Sequence, residues 1–148
     1  FKSPTNTIGY LKNEDETEKA LKDGWLLTGD LGYIDNEGYL FIVDRKKSLI
    51  IRGGENISTL EVENALDRHA NILESCVCGI DDPKFGEIVG AYIYCNADVS
   101  EEDIKEFLNE SIAGYKVPEV FHISKDPLPR IATEKIDRVG IKKILSSQ

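Results

Sequence analysis

Residues 24–58 read GWLLTGDLGYIDNEGYLFIVDRKKSLIIRGGENIS, and the order of apolar and turn-forming residues within them divides the rest of the chain. Two strand-like runs, 31–35 and 39–43, flank Asn36, Glu37 and Gly38, a strong local turn signal. That pattern predicts a β-hairpin. Directly after it stand Asp44, Arg45, Lys46 and Lys47, then a further apolar run at 49–51 and the pair Gly53-Gly54. The chain thus leaves one hairpin through a charged joint and enters a second apolar unit. A domain boundary is expected there, with residues 1–43 on one side and 44–148 on the other.

On the N-terminal side, residues 1–10 contain Pro4 and Gly9 and read as irregular. Residues 13–22 suit a helix, with Glu14, Asp15 and Glu16 early and Lys19 and Lys22 late, the order the helix dipole favours. These first 43 residues offer too little apolar surface for a core of their own and read as the edge of a larger domain. On the C-terminal side, Ser58 and Glu61 match a capping box with Ile57 as staple. A helix over 59–69 follows, with Val62, Ala65, Leu66 and His69 on one face. Strands are expected at 72–80 and 88–95, separated by Asp81-Asp82-Pro83. Ser100 can cap a helix whose apolar face is Ile104, Phe107, Leu108 and Ile112. A short strand at 120–123, a loop over 126–134 and a closing helix over 136–145 complete the order β, α, β, β, α, β, loop, α. That order describes a compact α+β or split α/β unit of about 100 residues.

The 148 residues are 41% hydrophobic and 30% charged, so the chain should fold. Its net charge of −9 argues against a general nucleic-acid or anionic-membrane surface. Local cationic clusters remain: Arg45, Lys46, Lys47 and Arg52, and farther on Arg130, Lys135, Arg138, Lys142 and Lys143. Cys76 and Cys78 lie two apart in an apolar run and should share a strand face as core thiols, with Cys95 a third. His69 and His122 are too few and too scattered to complete a metal site with them. No run reaches transmembrane length and no secretory segment opens the chain, so a reducing, cytoplasmic setting is expected. The chain begins at Phe1 and contains no Met, and is expected to be a piece of a longer protein.

Neither GxxxxGK[ST], GxGxxG nor GxSxG occurs, and neither histidine has a catalytic partner in sequence. Gly53-Gly54 allows either close backbone approach to a ligand or a tight connection. On spacing alone, Lys135 is a solvated loop charge, and Asp30 and Arg45 are a turn cap and a surface charge.

The segment TGDLGYIDNEGYLFIVDRKKSLIIRGGENIS at 28–58, followed by LPRIATEKIDR at 128–138, closely resembles the adenylate-forming superfamily. The resemblance runs from about Gly9 to the end of the chain. It implies the hinge and mobile lid domain of an ATP-dependent acid–CoA ligase, an α+β unit with a small three-stranded sheet flanked by helices, preceded by a β-hairpin from its large N-terminal domain. In that family a carboxylate attacks the α-phosphate of ATP, releasing pyrophosphate, and CoA then displaces AMP from the acyl-adenylate. By the same resemblance, Asp30 and Arg45 contact the nucleotide ribose and Asp44 is the hinge. Gly53 and Gly54 line the pantetheine path, and Lys135 reaches the α-phosphate and the carboxylate. The implied partners are ATP or AMP, CoA, a small carboxylic acid, Mg²⁺ held with the large domain, and that domain itself. Fatty-acid metabolism is one setting it implies. Loading of a carrier protein, amide formation, and a lid without turnover are the alternative roles. Two residues depart from the family's pattern: Glu134 stands where Gly usually precedes the lysine, and Thr59 stands where many relatives have proline.

Overall fold

The Asp35 carboxylate accepts hydrogen bonds from the backbone N–H groups of Glu37 and Tyr39, both at 2.9 Å, and so closes the predicted turn. The computed structural model describes all residues, 1–148, in two units, Phe1–Lys47 and Ser48–Gln148. In the first, α1 (Glu14–Ala20) is capped by the Asn13 side chain, which accepts from Glu16 N–H. The helix stops short of its expected end. Leu21 turns extended, and Asp23 and Gly24 take positive φ. They form the turn between β1 (Leu21–Lys22) and β2 (Trp25–Leu26). The hairpin proper is β3 (Asp30–Ile34) against β4 (Leu40–Arg45), antiparallel, with a register shift at Leu31/Gly32. Its apolar residues, including Tyr33, Ile34, Leu40, Phe41 and Ile42, are exposed, and Asp44 is the one buried residue of the unit.

The second unit holds β5 (Ile50–Arg52), β6 (Glu55–Ile57), α2 (Thr59–Leu66), β7 (Ile72–Asp82), β8 (Gly86–Cys95), α3 (Glu101–Asn109), β9 (Val120–Ser124) and α4 (Arg138–Leu145). It is α+β, as expected, but its sheet has five strands, not three. The order is β6-β5-β8-β7, with β9 parallel to β8. The extra pair is a short hairpin, β5–β6, that joins β8 through one register position, Arg52↔Gly86. Its second strand, Glu55-Asn56-Ile57, carries no apolar alternation by which a strand could be read.

Alternation along β7 and β8 divides the core between the two sheet faces. Val77, Val89, Ala91 and Ile93 face Val62 and Leu66 of α2 and Ile104 and Leu108 of α3. Cys76, Ile80 and Tyr92 face Ile141 and Leu145 of α4 and Leu128. Ser58 Oγ accepts from Glu61 N–H at 3.2 Å, while the Glu61 carboxylate takes Lys116 Nζ at 2.6 Å. The second helix has the full reciprocal box, Ser100 with Asp103.

β7 ends the strand order, so one side of its backbone has no strand beside it. Side chains cover it at Val77. The Glu63 carboxylate accepts from Val77 N–H at 2.8 Å, and Arg138 Nη1 donates to the Val77 carbonyl at 3.1 Å. Arg138 Nη2 then pairs with Glu63 at 2.9 and 3.1 Å. This clamp ties α2, β7 and the first turn of α4 together. Charge-assisted bonds of this kind contribute about 1.5–3 kcal/mol each.

Cys76 and Cys78 share the α4 face of β7, as the two-residue spacing predicted. Burial pushes the Cys76 thiol up to about 12 and the Cys78 thiol to about 11, against an ordinary 9.0. The thiolate is the reactive form. Near pH 8, iodoacetamide should therefore modify native Cys78 about 100-fold more slowly than the unfolded chain, and Cys76 more slowly still. Raising the pH toward 11 should restore Cys78 before Cys76. Mass spectrometry of quenched time points checks this, and equal native and unfolded rates would refute it.

Candidate functional site

Asp30 and Arg45 are cross-strand partners at the open end of the first unit's hairpin. Arg45 Nε lies 3.2 Å from Asp30 Oδ1, with the arginine side chain well exposed and the aspartate side chain about one-quarter exposed (28%). Thr28 Oγ1 accepts from Asp30 N–H at 3.2 Å, and the Gly29 carbonyl accepts from Lys46 N–H at 2.8 Å, fixing the strand end on both sides. A carboxylate beside an exposed guanidinium can accept hydrogen bonds from two hydroxyls while the cation offers donors of its own. Asp44 is next to Arg45 in sequence, yet its side chain is buried, its Oδ1 accepting from Arg45 N–H at 2.6 Å. It lies inside β4, three residues before the division between Lys47 and Ser48.

Gly53 and Gly54 form the two-residue turn of the β5–β6 hairpin, at φ 58° and 93°. Both values are left-handed, the geometry that type I′ turns require and that only glycine adopts without strain. The tight-connection role is therefore present in the fold. Space remains around the turn as well: a Cβ on Gly54 would meet no atom within 4 Å, and one on Gly53 only Phe85 Cδ1 at 3.5 Å. The turn is docked on the loop between β7 and β8, where Gly53 N–H donates to the Phe85 carbonyl at 2.8 Å. Arg52 stacks on the Phe85 ring at 4.4 Å and pairs with Glu119 at 2.8 Å.

Lys135 sits on a small hairpin that precedes α4. Glu134 N–H donates to the Ile131 carbonyl and Ile131 N–H to the Lys135 carbonyl, both at 2.9 Å, with Arg130 bridging Ile136. This is a three-residue loop of the kind that needs a left-handed residue before the chain returns. Glu134 is that residue, at φ 62°. The departure from glycine noted in the sequence thus falls on the one position of the loop where glycine has a conformational advantage. Residues 131–135 are all exposed. Two arginines hold the hairpin from either side: Arg138 through the clamp on Val77, and Arg130 through Glu74 and the Glu134 carbonyl.

Within the second unit these two loops lie at opposite ends of the sheet. The lysine hairpin is anchored near Glu74 at the start of β7, whereas the glycine turn is docked beyond Asp82 at its end. Eight residues of strand separate those anchors, about 26 Å at 3.3 Å per residue. No group of three or more His, Cys, Asp or Glu is placed to hold a metal ion, so Mg²⁺ has no fitted site on these residues. Sequence reasoning counted Arg130 and Arg138 as members of a cationic cluster and of the motif around Lys135, without their contacts, and passed over Glu63 and Glu74. Glu63 carries a readable signal, a carboxylate beside Val62 on the helix face expected to be buried.

A sequence profile described as the AMP-binding enzyme C-terminal domain matches residues 61–135. The chain belongs to that family. It is 47% identical over 137 residues, 93% of its length, to a 2-succinylbenzoate–CoA ligase of Bacillus licheniformis, of which it covers 28%. Among solved structures it resembles the o-succinylbenzoate CoA synthetase MenE of Bacillus subtilis in complex with the acyl-adenylate intermediate OSB-AMP. That likeness has a TM-score of 0.87 and 40% identity, over 95% of this chain and 29% of that one. The amide bond synthetase McbA of Marinactinospora thermotolerans gives a TM-score of 0.87 at 29% identity, over 97% of this chain and 29% of that one. The chain therefore spans less than a third of the relatives it matches. The relatives named for 2-succinylbenzoate lend no support to the expected setting in fatty-acid metabolism.

A non-glycine residue in left-handed conformation costs about 1–2 kcal/mol, partly offset in glycine by the entropy it loses on folding. Glu134→Gly should therefore stabilise the chain by up to about 1 kcal/mol, and Glu134→Val should destabilise it. Urea denaturation of the three proteins checks the order.

Proposed function

We propose that residues 44–148 are the mobile lid of an ATP-dependent acid–CoA ligase and that residues 1–43 are the end of its large nucleotide-binding domain. The observation that carries this reading is the placement of two candidate loops at opposite ends of one sheet. One loop presents a cation and the other a small-residue turn, and with anchors about 26 Å apart along β7 the two do not face one reacting centre together. A reaction in two steps, with the lid rotating between them, uses each loop in turn.

In the first step a carboxylate oxygen attacks the α-phosphorus of ATP, the P–O bond to pyrophosphate breaks, and an acyl-adenylate forms. The Lys135 ammonium faces the charge growing on the transferring group, a point-charge role suited to lysine. Asp30 accepts hydrogen bonds from the ribose hydroxyls, with Arg45 beside it. Asp44, just before the division between the units, is the hinge residue. In the second step the thiol of CoA, deprotonated, attacks the acyl carbonyl and AMP leaves. Gly53 and Gly54 leave the pantetheine arm room to pass. Mg²⁺ accompanying ATP would be held by residues outside this chain. The relatives' names favour 2-succinylbenzoate, an aromatic acid with a second carboxylate, as the acid. Three free cysteines, two of them buried, suit a reducing compartment.

The test uses the full-length enzyme with ATP, Mg²⁺ and a panel of aromatic, short and long acids. AMP release should require CoA and be fastest with 2-succinylbenzoate. Lys135→Ala should lower adenylate formation by at least about 100-fold, while thioester formation from added acyl-adenylate persists. Adenylation undiminished in Lys135→Ala would overturn the assignment. AMP release driven by an amine instead of CoA would replace the ligase with an amide synthetase.

A further inference from the structure

We infer that Arg130 and Glu74 are positioning residues for Lys135, acting together through the backbone of the lysine hairpin. The inference rests on the role proposed for Lys135 and adds the means by which its ammonium is aimed.

Residues 131–135 are exposed throughout, so the hairpin that carries Lys135 gains little from the core. Its turn also contains a residue in an unfavourable conformation, Glu134 at φ 62°. The turn's own backbone bonds set its shape but do not orient it against the sheet. Arg138 anchors the chain after the turn; the side chain that ties the turn itself to the sheet is Arg130. Arg130 Nη1 donates to the Glu134 carbonyl at 2.9 Å, the peptide group that leads directly into Lys135. The same guanidinium pairs through Nη2 with Glu74 Oε1, on β7, so the turn is referred to the sheet through one planar group.

Glu74 is committed to this contact. Its Oε2 is buried and has no hydrogen-bond partner, so the carboxylate depends on the arginine for its compensation. Neither residue belongs to the two core clusters, and the hairpin's base is separately closed by Asp137 N–H on the Pro129 carbonyl at 2.8 Å. Removing Arg130 should therefore leave the fold and its glycine turn in place while loosening the aim of Lys135. Because the lysine serves only the adenylating step, the loss should appear in one half-reaction alone.

The experiment uses the full-length enzyme with 2-succinylbenzoate, ATP and Mg²⁺, measuring pyrophosphate release in single turnover. In parallel, CoA thioester formation is measured from chemically prepared 2-succinylbenzoyl-adenylate. Arg130→Met and Glu74→Gln should each slow pyrophosphate release by about 10- to 100-fold, the scale of a displaced catalytic group, with thioester formation unchanged. The double variant should be no slower than Arg130→Met, since both act through one contact. Arg130→Met adenylating at the wild-type rate, while Lys135→Ala does not, overturns the inference and leaves the reading of Lys135 standing. Equal loss of both half-reactions in Arg130→Met also overturns it, by reducing Arg130 to a structural role. Retained adenylation in Lys135→Ala, or none in the wild type, sinks the underlying reading instead.

Discussion

The second unit depends on how an edge strand is finished. β7 contributes to both core faces, yet it is the last strand of its sheet. At Val77 its outward N–H and carbonyl are answered by one carboxylate and one guanidinium, and those two side chains also pair with each other. Because Glu63 comes from α2 and Arg138 from α4, the same few bonds join the layers on either side of the sheet. They also fix the start of α4, three residues after Lys135. A device that prevents strand addition at an edge thus also anchors the loop with the candidate chemistry.

The functional reading grows from that anchoring. One rigid sheet carries a cationic hairpin at one end and a glycine turn at the other, each docked by specific contacts: Arg130 on Glu74, and Gly53 on Phe85. A ligase that first activates a carboxylate and then transfers it to a thiol needs a positive charge in one step and open space in the next. Carrying both on one element and exchanging them by rotation separates demands that would conflict in a fixed site. In the first unit, Asp30 and Arg45 form an ion pair at the end of a hairpin whose apolar residues are exposed.

Much of this was legible from sequence because the elements obey simple periodicities. Apolar runs bounded by the Asp81-Asp82-Pro83 turn located β7 and β8, the 3.6-residue pattern located α2 and α3, and Ser58 and Ser100 marked their starts. Cys76 and Cys78 were correctly placed on one face by their spacing alone. The apolar run at 49–51 marked β5, but β6 was not legible, since Glu55 and Asn56 carry no apolar alternation and the pairing is fixed by the turn. α1 ended early because the positive-φ turn at Asp23 and Gly24 competes with the helix. The candidate site was legible only through family resemblance, because single charges in loops look like solvated charges. What resemblance left out was the support: Glu63, Glu74, Arg130 and Arg138 meet across 56 to 75 residues of sequence. Such pairings leave no local pattern. The strain at Glu134 was readable only as a departure from glycine; its cause, a left-handed loop position, needed the backbone.

The most direct test of the central claim is amide hydrogen exchange at Val77, followed by NMR in the wild-type chain and in Glu63→Ala. If the clamp finishes the edge of β7, the wild-type Val77 amide should exchange as slowly as amides in the middle of the sheet. In the variant it should become fast while the β7–β8 pairing stays protected. A Val77 amide that already exchanges freely in the wild type, or is unaffected by loss of Glu63, would contradict the account.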